Sequence, residues 1–323
     1  MVEHLHNAHC VKNDEYYTTP VVVEKELFSI LEHDAESLEG KTILCPCDDP
    51  DYSNYIRELS IHFDETGANE VIASCFNADG NGKVVHITEQ DRDVFNLPWS
   101  YHDGDGSFDS PEVEELRDRA DFVFTNPPFS RWRDFVQWCL DGGCGFSVVS
   151  PDISTSYKIT CRVMSEGIAT NSHSFKPGSF PFRTFHYPDA PYADDGYQYT
   201  KISCYHLSTV KRPARYWPSN SMDHNIKNHK KVSAGYEYLD GIPSDVNYID
   251  EVPLEVPRSE LIPNDFAGVM SVPSTYMLRY DPDSVELLGA PTSGARLHDR
   301  YLFKRYLIRN KHPHKEETSG SST

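Results

Sequence analysis

The sequence is short of positive charge: 30 Lys and Arg stand against 50 Asp and Glu in 323 residues, a formal charge of −20. Taken as a whole, that balance argues against a polyanionic partner. No run approaches 18 apolar residues, so no membrane-spanning helix is expected. The opening MVEHLHNAHC has acid and imidazole where an export signal has a basic flank and an apolar stretch; the expected location is cytoplasmic. Zinc-spaced cysteine pairs and an HExxH pair are both missing, so no metal is expected. The eight cysteines lie mostly in apolar runs such as TILCPC and VIASCF, which reads as buried, reduced thiols. No internal repeat is present. What the chain does have is 38% hydrophobic and 12% aromatic residues. That is enough for a sizeable core, excludes wholesale disorder, and at this length suggests about two domains.

The cations are unevenly spread. Residues 201–231 carry seven Lys and Arg against Asp223 alone, and residues 296–315 carry seven against Asp299. The two stretches together are +12 and the rest of the chain is −32. Each cluster alone could be a solvated face. Two in one half of so acidic a chain suggest a nucleic-acid footprint, with Lys211, Arg212, Arg215, Lys227, Lys230, Lys231, Arg305 and Arg309 as candidate DNA contacts.

Up to about residue 150, short apolar strands alternate with amphipathic helices. Thr19-Pro20 opens a helix through His33, KTILC is a short buried strand, and Ser53 is placed to cap a helix over 53–65. Strands NEVIASCF and KVVHIT follow, then loop DGDGSFDS, helix PEVEELRDR, strand DFVFT, helix RWRDFVQWCL and strand GFSVVS. Trp132 and Trp138 lie on that last helix as core packing. The alternation predicts an α/β fold, a mostly parallel sheet with helices on both faces and ligands at the carboxyl ends of its strands. KISCYHLST reads as one more strand of the same sheet. Beyond it, proline and tyrosine become frequent and the pattern turns to α+β, so the boundary is drawn at 210, with a second domain over 211–311 and a disordered tail over 312–323.

The sharpest local signal is Asn126-Pro127-Pro128-Phe129, directly after DFVFT. Two prolines end the strand in a sharp turn, because proline cannot donate to a ladder and restricts the residue before it. The turn leaves an amide oxygen and a carbonyl at the strand's end beside an aromatic ring: an acceptor pair and a stacking platform for a planar amine. An ordinary loop turn is the plainer reading of NPPF in isolation.

The order of motifs resembles S-adenosylmethionine-dependent methyltransferases that act on exocyclic or amide nitrogens, and more narrowly the EcoRI-type adenine-specific DNA methyltransferases. The resemblance rests on NDEYYTTP at 13–20, CPCDDPDYSNYIREL at 45–59, GDGSF at 104–108, TNPPFSRWRDFV at 125–136, DFAGVMSVPSTYMLRYDPDSVELLG at 265–289 and RYLIRNK at 305–311. It implies a Rossmann-like methyltransferase domain with a C-terminal target-recognition region, S-adenosyl-L-methionine as methyl donor, and double-stranded DNA as partner, with a cognate restriction endonuclease sharing the site. Asn126, Pro127, Pro128 and Phe129 would then be catalytic, with Phe129 stacked on a flipped adenine. Tyr17, Thr18, Asp48, Asp49, Pro50, Asn54 and Asp105 would line the cofactor site. Asp48 and Asp49 have a plainer alternative as helix caps, and Tyr17, Thr18 and Asp105 as loop residues. Ser107 and Asp109 depart from the family's pattern, and no acid is assigned to the cofactor ribose. Methylation of RNA or of a protein amide, or a silent binding protein on the same scaffold, are the competing functions.

Overall fold

The structure, a computed structural model, describes residues 16–92, 100–175, 180–184, 193, 196–212, 220–246, 248–291 and 293–314. Arg215 and residues 315–323 of the expected tail therefore lie outside the described residues. The chain divides into two compact units. The first runs up to Asp152 and resumes over Ala169–Arg212; the second takes Ile153–Ile168 and all that follows Pro213.

The first unit begins with β1 (Tyr17–Thr18) and α1 (Pro20–Asp34), where proline occupies the first turn. Next come β2 (Thr42–Cys45), α2 (Asn54–Ile61), a single helical turn at Phe63–Thr66 and β3 (Glu70–Cys75). They are followed by β4 (Lys83–Ile87), β5 (Ser100–Tyr101), α3 (Pro111–Arg119), β6 (Phe122–Thr125), α4 (Trp132–Gly142) and β7 (Gly145–Pro151). Helix α5 (Lys158–Ser165) belongs to the second unit; β8 (Thr170–Asn171), β9 (Phe180–Thr184), β10 (Gln198–Ile202) and β11 (Cys204–Ser208) complete the first.

The main sheet has the order β5-β4-β3-β2-β6-β7-β11-β8. Pairing is parallel through β3-β2-β6-β7 and antiparallel toward both edges. The expectation of a mostly parallel sheet is thus met in the centre and fails at β4. Only the seven residues 76–82 separate β3 from β4, too few for the crossover a parallel neighbour requires. KISCYHLST is likewise two strands. β10 joins β1 and β9 in a separate three-stranded sheet, and β11 returns to the main one. Ser203 marks the break, donating Oγ to Asp152 at 2.7 Å.

Alternation along the strands covers both faces. Ile43, Cys45, Val71, Ala73, Phe122 and Phe124 share one cluster with Val22, Val23, Leu27 and Ile30 of α1 and Tyr55, Ile56 and Leu59 of α2. Their neighbours Leu44, Ile72 and Val123 are equally buried but lie outside that cluster, on the side where α3 packs on β2 and α4 on β7. Trp132 and Trp138 are buried there, as the periodicity predicts. Seven cysteines fall within the described residues; all are free thiols and five are buried.

Helix α2 starts as the sequence suggests. Ser53 has extended backbone and its Oγ accepts from Tyr55 N at 3.0 Å. Ser53→Ala is expected to lower stability by about 1 kcal/mol, or somewhat more because this hydroxyl has a second, buried partner; urea titration against the parent measures it.

In the second unit, α6 (Met222–Asn228) precedes a five-stranded sheet. Its strands are β12 (Glu237–Tyr238), β13 (Leu254–Glu255), β14 (Val269–Pro273), β15 (Val285–Gly289) and β18 (Arg305–Asn310), ordered β12-β13-β14-β18-β15. Val246, Ile249, Val269 and Leu307 pack together in its core. β16 (Ala295–Leu297) and β17 (Arg300–Leu302) form a separate two-stranded ribbon. Among the described residues no helix is long and apolar enough to cross a membrane.

Candidate active site

β3 and β6 flank β2 on opposite sides, so the chain leaves the carboxyl ends of β2 and β6 in opposite directions, the arrangement that opens a ligand crevice in α/β sheets. A cavity of about 1010 Å³ lies there. Its lining comes from Tyr16–Thr18, the Pro46–Asp49 turn after β2, Ser53–Tyr55 at the start of α2, Cys75 and Phe76, the loop from Asp105 to Ser110, and Asn126, Pro128, Ser130 and Arg131 after β6.

The cavity collects most of the cofactor-site residues expected from sequence. Tyr17, Thr18, Asp48, Asp49, Asn54 and Asp105 all line it; Pro50 is buried beside it and is not part of the lining. Asn54 donates Nδ2 to the Thr18 carbonyl at 2.7 Å, tying β1 to α2. Asp105 Oδ1 accepts from Ser107 N at 2.8 Å. The Asp105 loop lies flat on the β3–β4 connection: Gly82 N donates to Gly104 O at 3.0 Å, and a Cβ on Gly82 would stand 2.5 Å from Gly106 Cα. Glycine at 82 is what lets the two backbones touch.

Asp48 has structural partners besides its place in the lining. It is only 5% exposed. Oδ1 accepts from Ser53 Oγ at 2.6 Å and Oδ2 from Thr125 Oγ1 at 2.5 Å, while its amide donates to Ser74 O at 3.0 Å. The carboxyl is thus a joint between the ends of β2, β3 and β6 and the first turn of α2, and burial pushes its pKa up to about 7. The capping role falls to Ser53. Asp49 keeps a more open carboxylate: Oδ1 accepts from Asp51 N at 2.9 Å, with Lys83 Nζ 3.7 Å away.

At the end of β6, Asn126 Nδ2 donates to the Tyr16 carbonyl at 2.6 Å. That contact fixes which end of the amide is which. Oδ1 is buried and has no hydrogen-bond partner among the described residues. Leaving a buried acceptor unmatched costs roughly 1–3 kcal/mol and is uncommon in native proteins. A site that takes an N–H donor explains it. Phe129 is placed differently from expectation: it stacks on Tyr16 (centroids 6.2 Å apart, 21° between planes) and meets Phe182 edge-on at 6.3 Å. Tyr16 lines the cavity, with Tyr17, Tyr55, Phe76 and Phe108, and Phe129 does not. Pro127 is buried and Pro128 lines the wall.

The family model for the adenine-specific methyltransferase EcoRI matches residues 4–322. The chain belongs to this family. Among curated relatives it is 28% identical to the Type II methyltransferase M.EcoRI of Escherichia coli over 95% of this chain and 96% of that one. It is 26% identical to the Type II methyltransferase M.MpnI of Mycoplasma pneumoniae over 89% and 85%, and 23% identical to M.MgeORF184P of Mycoplasma genitalium over 89% and 86%. No solved structure matches the chain. It is therefore an adenine-specific methyltransferase, an enzyme whose family uses a methyl donor of the S-adenosylmethionine type.

In this EcoRI-family methyltransferase one salt bridge at the cavity wall was not foreseen from sequence. Arg131, five residues after Asn126, grips Asp109 with Nη2–Oδ2 at 2.6 Å and Nη1–Oδ1 at 3.0 Å, and lies 4.5 Å over the Phe108 ring. The Arg131 guanidinium holds the Asp109 carboxyl down at about 2. The partner lies in the same stretch as the Asn126 turn, 22 residues from Asp109.

The basic clusters are less uniform than their composition suggests. Arg212 is a correction. Its side chain is 3% exposed, with Nη2 on Glu26 Oε1 at 2.9 Å and Nε on Ser29 Oγ at 2.9 Å. Burial pushes His206, 3.4 Å from Glu26, down toward its neutral form, so Arg212 is the cation that balances the buried Glu26. Arg305 is 13% exposed and bound to Glu255 at 2.7 Å; Arg309 pairs with Glu251 at 3.2 Å and Glu286 at 3.6 Å. These three serve the interior or intramolecular pairs. Lys211, Lys227, Lys230 and Lys231 are exposed, and the last three make no ion pair among the described residues.

Proposed function

We propose that this enzyme transfers a methyl group from S-adenosyl-L-methionine to N6 of an adenine in double-stranded DNA, as the modification half of a restriction–modification system. The observation that carries the reading is Asn126 at the carboxyl end of β6: it lines a cavity large enough for a nucleoside-sized donor and a base, and its buried Oδ1 has no partner among the described residues. The relatives' names as Type II methyltransferases support the same substrate class.

The residues present fit such a donor: Tyr17, Thr18, Asp49, Asn54 and Asp105 surround the part of the cavity nearest β2 and α2, with carboxylates suited to an amine or ribose hydroxyls. The donor, when bound, supplies a methyl group on a positively charged sulfur, so the protein needs no covalent step of its own. The N6 amine is a poor nucleophile because its lone pair is delocalised into the ring. Asn126 Oδ1, locked by the Tyr16 carbonyl, accepts one N6–H, and the Pro127 carbonyl accepts the other. Together they favour a pyramidal nitrogen with its lone pair free. Positioning and fixed dipoles are the sources of rate. The base must leave the duplex to reach the cavity, and of the rings in its lining Tyr16, backed by Phe129 and next to Asn126, is the one we assign to stack on it.

The test is to incubate the enzyme with labelled donor and duplex DNA, digest to nucleosides and identify the product. N6-methyladenine supports the reading; label in cytosine, RNA or protein alone overturns it. The second unit is the proposed target-recognition region, with its exposed lysines on phosphate. Reversing Lys227, Lys230 and Lys231 to Glu is expected to weaken binding to all DNA sequences alike and to flatten the slope of log affinity against log salt by roughly 2–3. Binding by the triple variant that matches the parent across a salt series would assign the stretch to a solvated loop. Donor affinity should stay as in the parent.

A further inference from the structure

Tyr301 and Phe303 are the two most exposed large apolar side chains among the described residues, at 69% and 72%. They sit two apart on and just past β17, hence on one face of the β16–β17 ribbon. Arg296 is the cross-strand partner of Tyr301 and lies 4.9 Å over its ring. The opposite face is turned inward: Ala295, paired with Leu302, is buried. Arg300 and Lys304, both exposed, are the pair's neighbours in sequence, and Lys304 Nζ donates to Ser156 Oγ at 2.8 Å.

The ribbon is also held rigidly. His298 and Asp299 at its turn adopt φ of 51° and 60°, the left-handed values that such turns usually assign to Asn-Gly. Both amides donate to the two oxygens of Asp240 at 2.8 Å, Asp240 N donates back to Arg296 O at 3.0 Å, and His298 Nε2 meets Glu237 Oε1 at 2.7 Å. A clamped turn in an uncommon conformation presents two largely exposed rings, with Arg296 over one of them and an exposed Arg300 beside it.

We propose that the β16–β17 ribbon enters a groove of duplex DNA, with Arg296, Arg300 and Lys304 on phosphates and Tyr301 and Phe303 against bases. A two-stranded ribbon has the width the major groove admits, and apolar side chains on basic elements are what proteins insert at base steps. Cations beside the rings, in a chain of −20, mark a polyanion as the partner. The rigid turn presents the contact without an ordering cost at binding. This assignment rests on duplex DNA being the substrate and names the element that touches it.

Two measurements test it on the full chain. Hydroxyl-radical footprinting of the unmutated enzyme, with and without duplex DNA that it methylates, should show the peptide bearing Tyr301 and Phe303 shielded by the duplex. The Tyr301→Ala/Phe303→Ala variant should bind that duplex at least tenfold more weakly, with the parent's melting temperature and donor affinity. Tyr301→Phe/Phe303→Trp should restore binding. If the enzyme methylates DNA but the duplex leaves this peptide unshielded, or the alanine variant keeps the parent's affinity, the ribbon assignment fails and the substrate reading stands. Shielding that depends on protein concentration and not on DNA assigns the face to self-association and also overturns it. An enzyme that neither binds nor methylates any duplex takes both readings down.

Discussion

Replacing Asn126 with alanine is expected to slow methyl transfer by about a thousandfold while changing donor affinity by no more than a few-fold. One preorganised polar group aimed at the reacting atom typically accounts for 10²–10³ in rate. Asn126 is such a group: Nδ2 is committed to the Tyr16 carbonyl at 2.6 Å, Oδ1 is buried and unpartnered among the described residues, and the residue belongs to the cavity lining. Removing the side chain also takes the Nδ2 bond from the Tyr16 carbonyl, so a loss of about 1 kcal/mol in stability is expected beside the kinetic effect. Single-turnover methylation, donor calorimetry and a melting curve on the same variant separate these effects. Near-normal turnover would remove NPPF from the chemistry.

The second large effect concerns Asp48 and is read in stability against pH. Its carboxyl is raised by burial to about 7, whereas in the unfolded chain it titrates near its ordinary value, about 4. Between those values the folded state holds a proton that the unfolded state has released. Stability from this group is therefore full below about pH 4, declines as pH rises through 7, and is flat above. Three units correspond to roughly 4 kcal/mol. Asp48→Asn, neutral at every pH and nearly isosteric, should flatten that part of the profile and leave the protein more stable than the parent at pH 8. Asp48→Ala should be less stable than Asp48→Asn at every pH by about 2 kcal/mol, because the Ser53 and Thr125 hydroxyls lose their acceptor. Urea unfolding from pH 5 to 9 checks both, and a parent and Asp48→Asn variant with parallel profiles would exclude Asp48 as the titrating group.

Period and punctuation carried much of the first unit. The 3.6-residue pattern after Pro20, the Ser53 cap and the apolar strands before Asp48 and Asn126 are local properties, and the structure has each where the sequence puts it. What stayed hidden depended on partners distant in sequence. Arg212 looks like any surface arginine until Glu26, 186 residues earlier, is found against it. Nothing local to Asp48 tells that Thr125, 77 residues later, donates to the oxygen that Ser53 does not take. Phe129 looks like a platform until Tyr16 covers it. The reversed direction of β4 was legible from the seven-residue link before it, had length been weighed along with apolar pattern.

The excursion of the chain between β7 and β8 limits how this architecture can change over time. Ile153–Ile168 leaves the first unit, contributes α5 to the second, where Tyr306 Oη donates to the Thr155 carbonyl, and returns before β8. The second unit is therefore stitched from two separated stretches of gene. A chain cut after Arg212 would keep α5 but lose β15, against which it packs, and a transplanted 213–323 segment would arrive without α5. Recombination at a single junction cannot exchange the unit whole. Whatever the second unit recognises, lineages that carry this stitch must alter it residue by residue, and an engineer seeking a hybrid must move both stretches together.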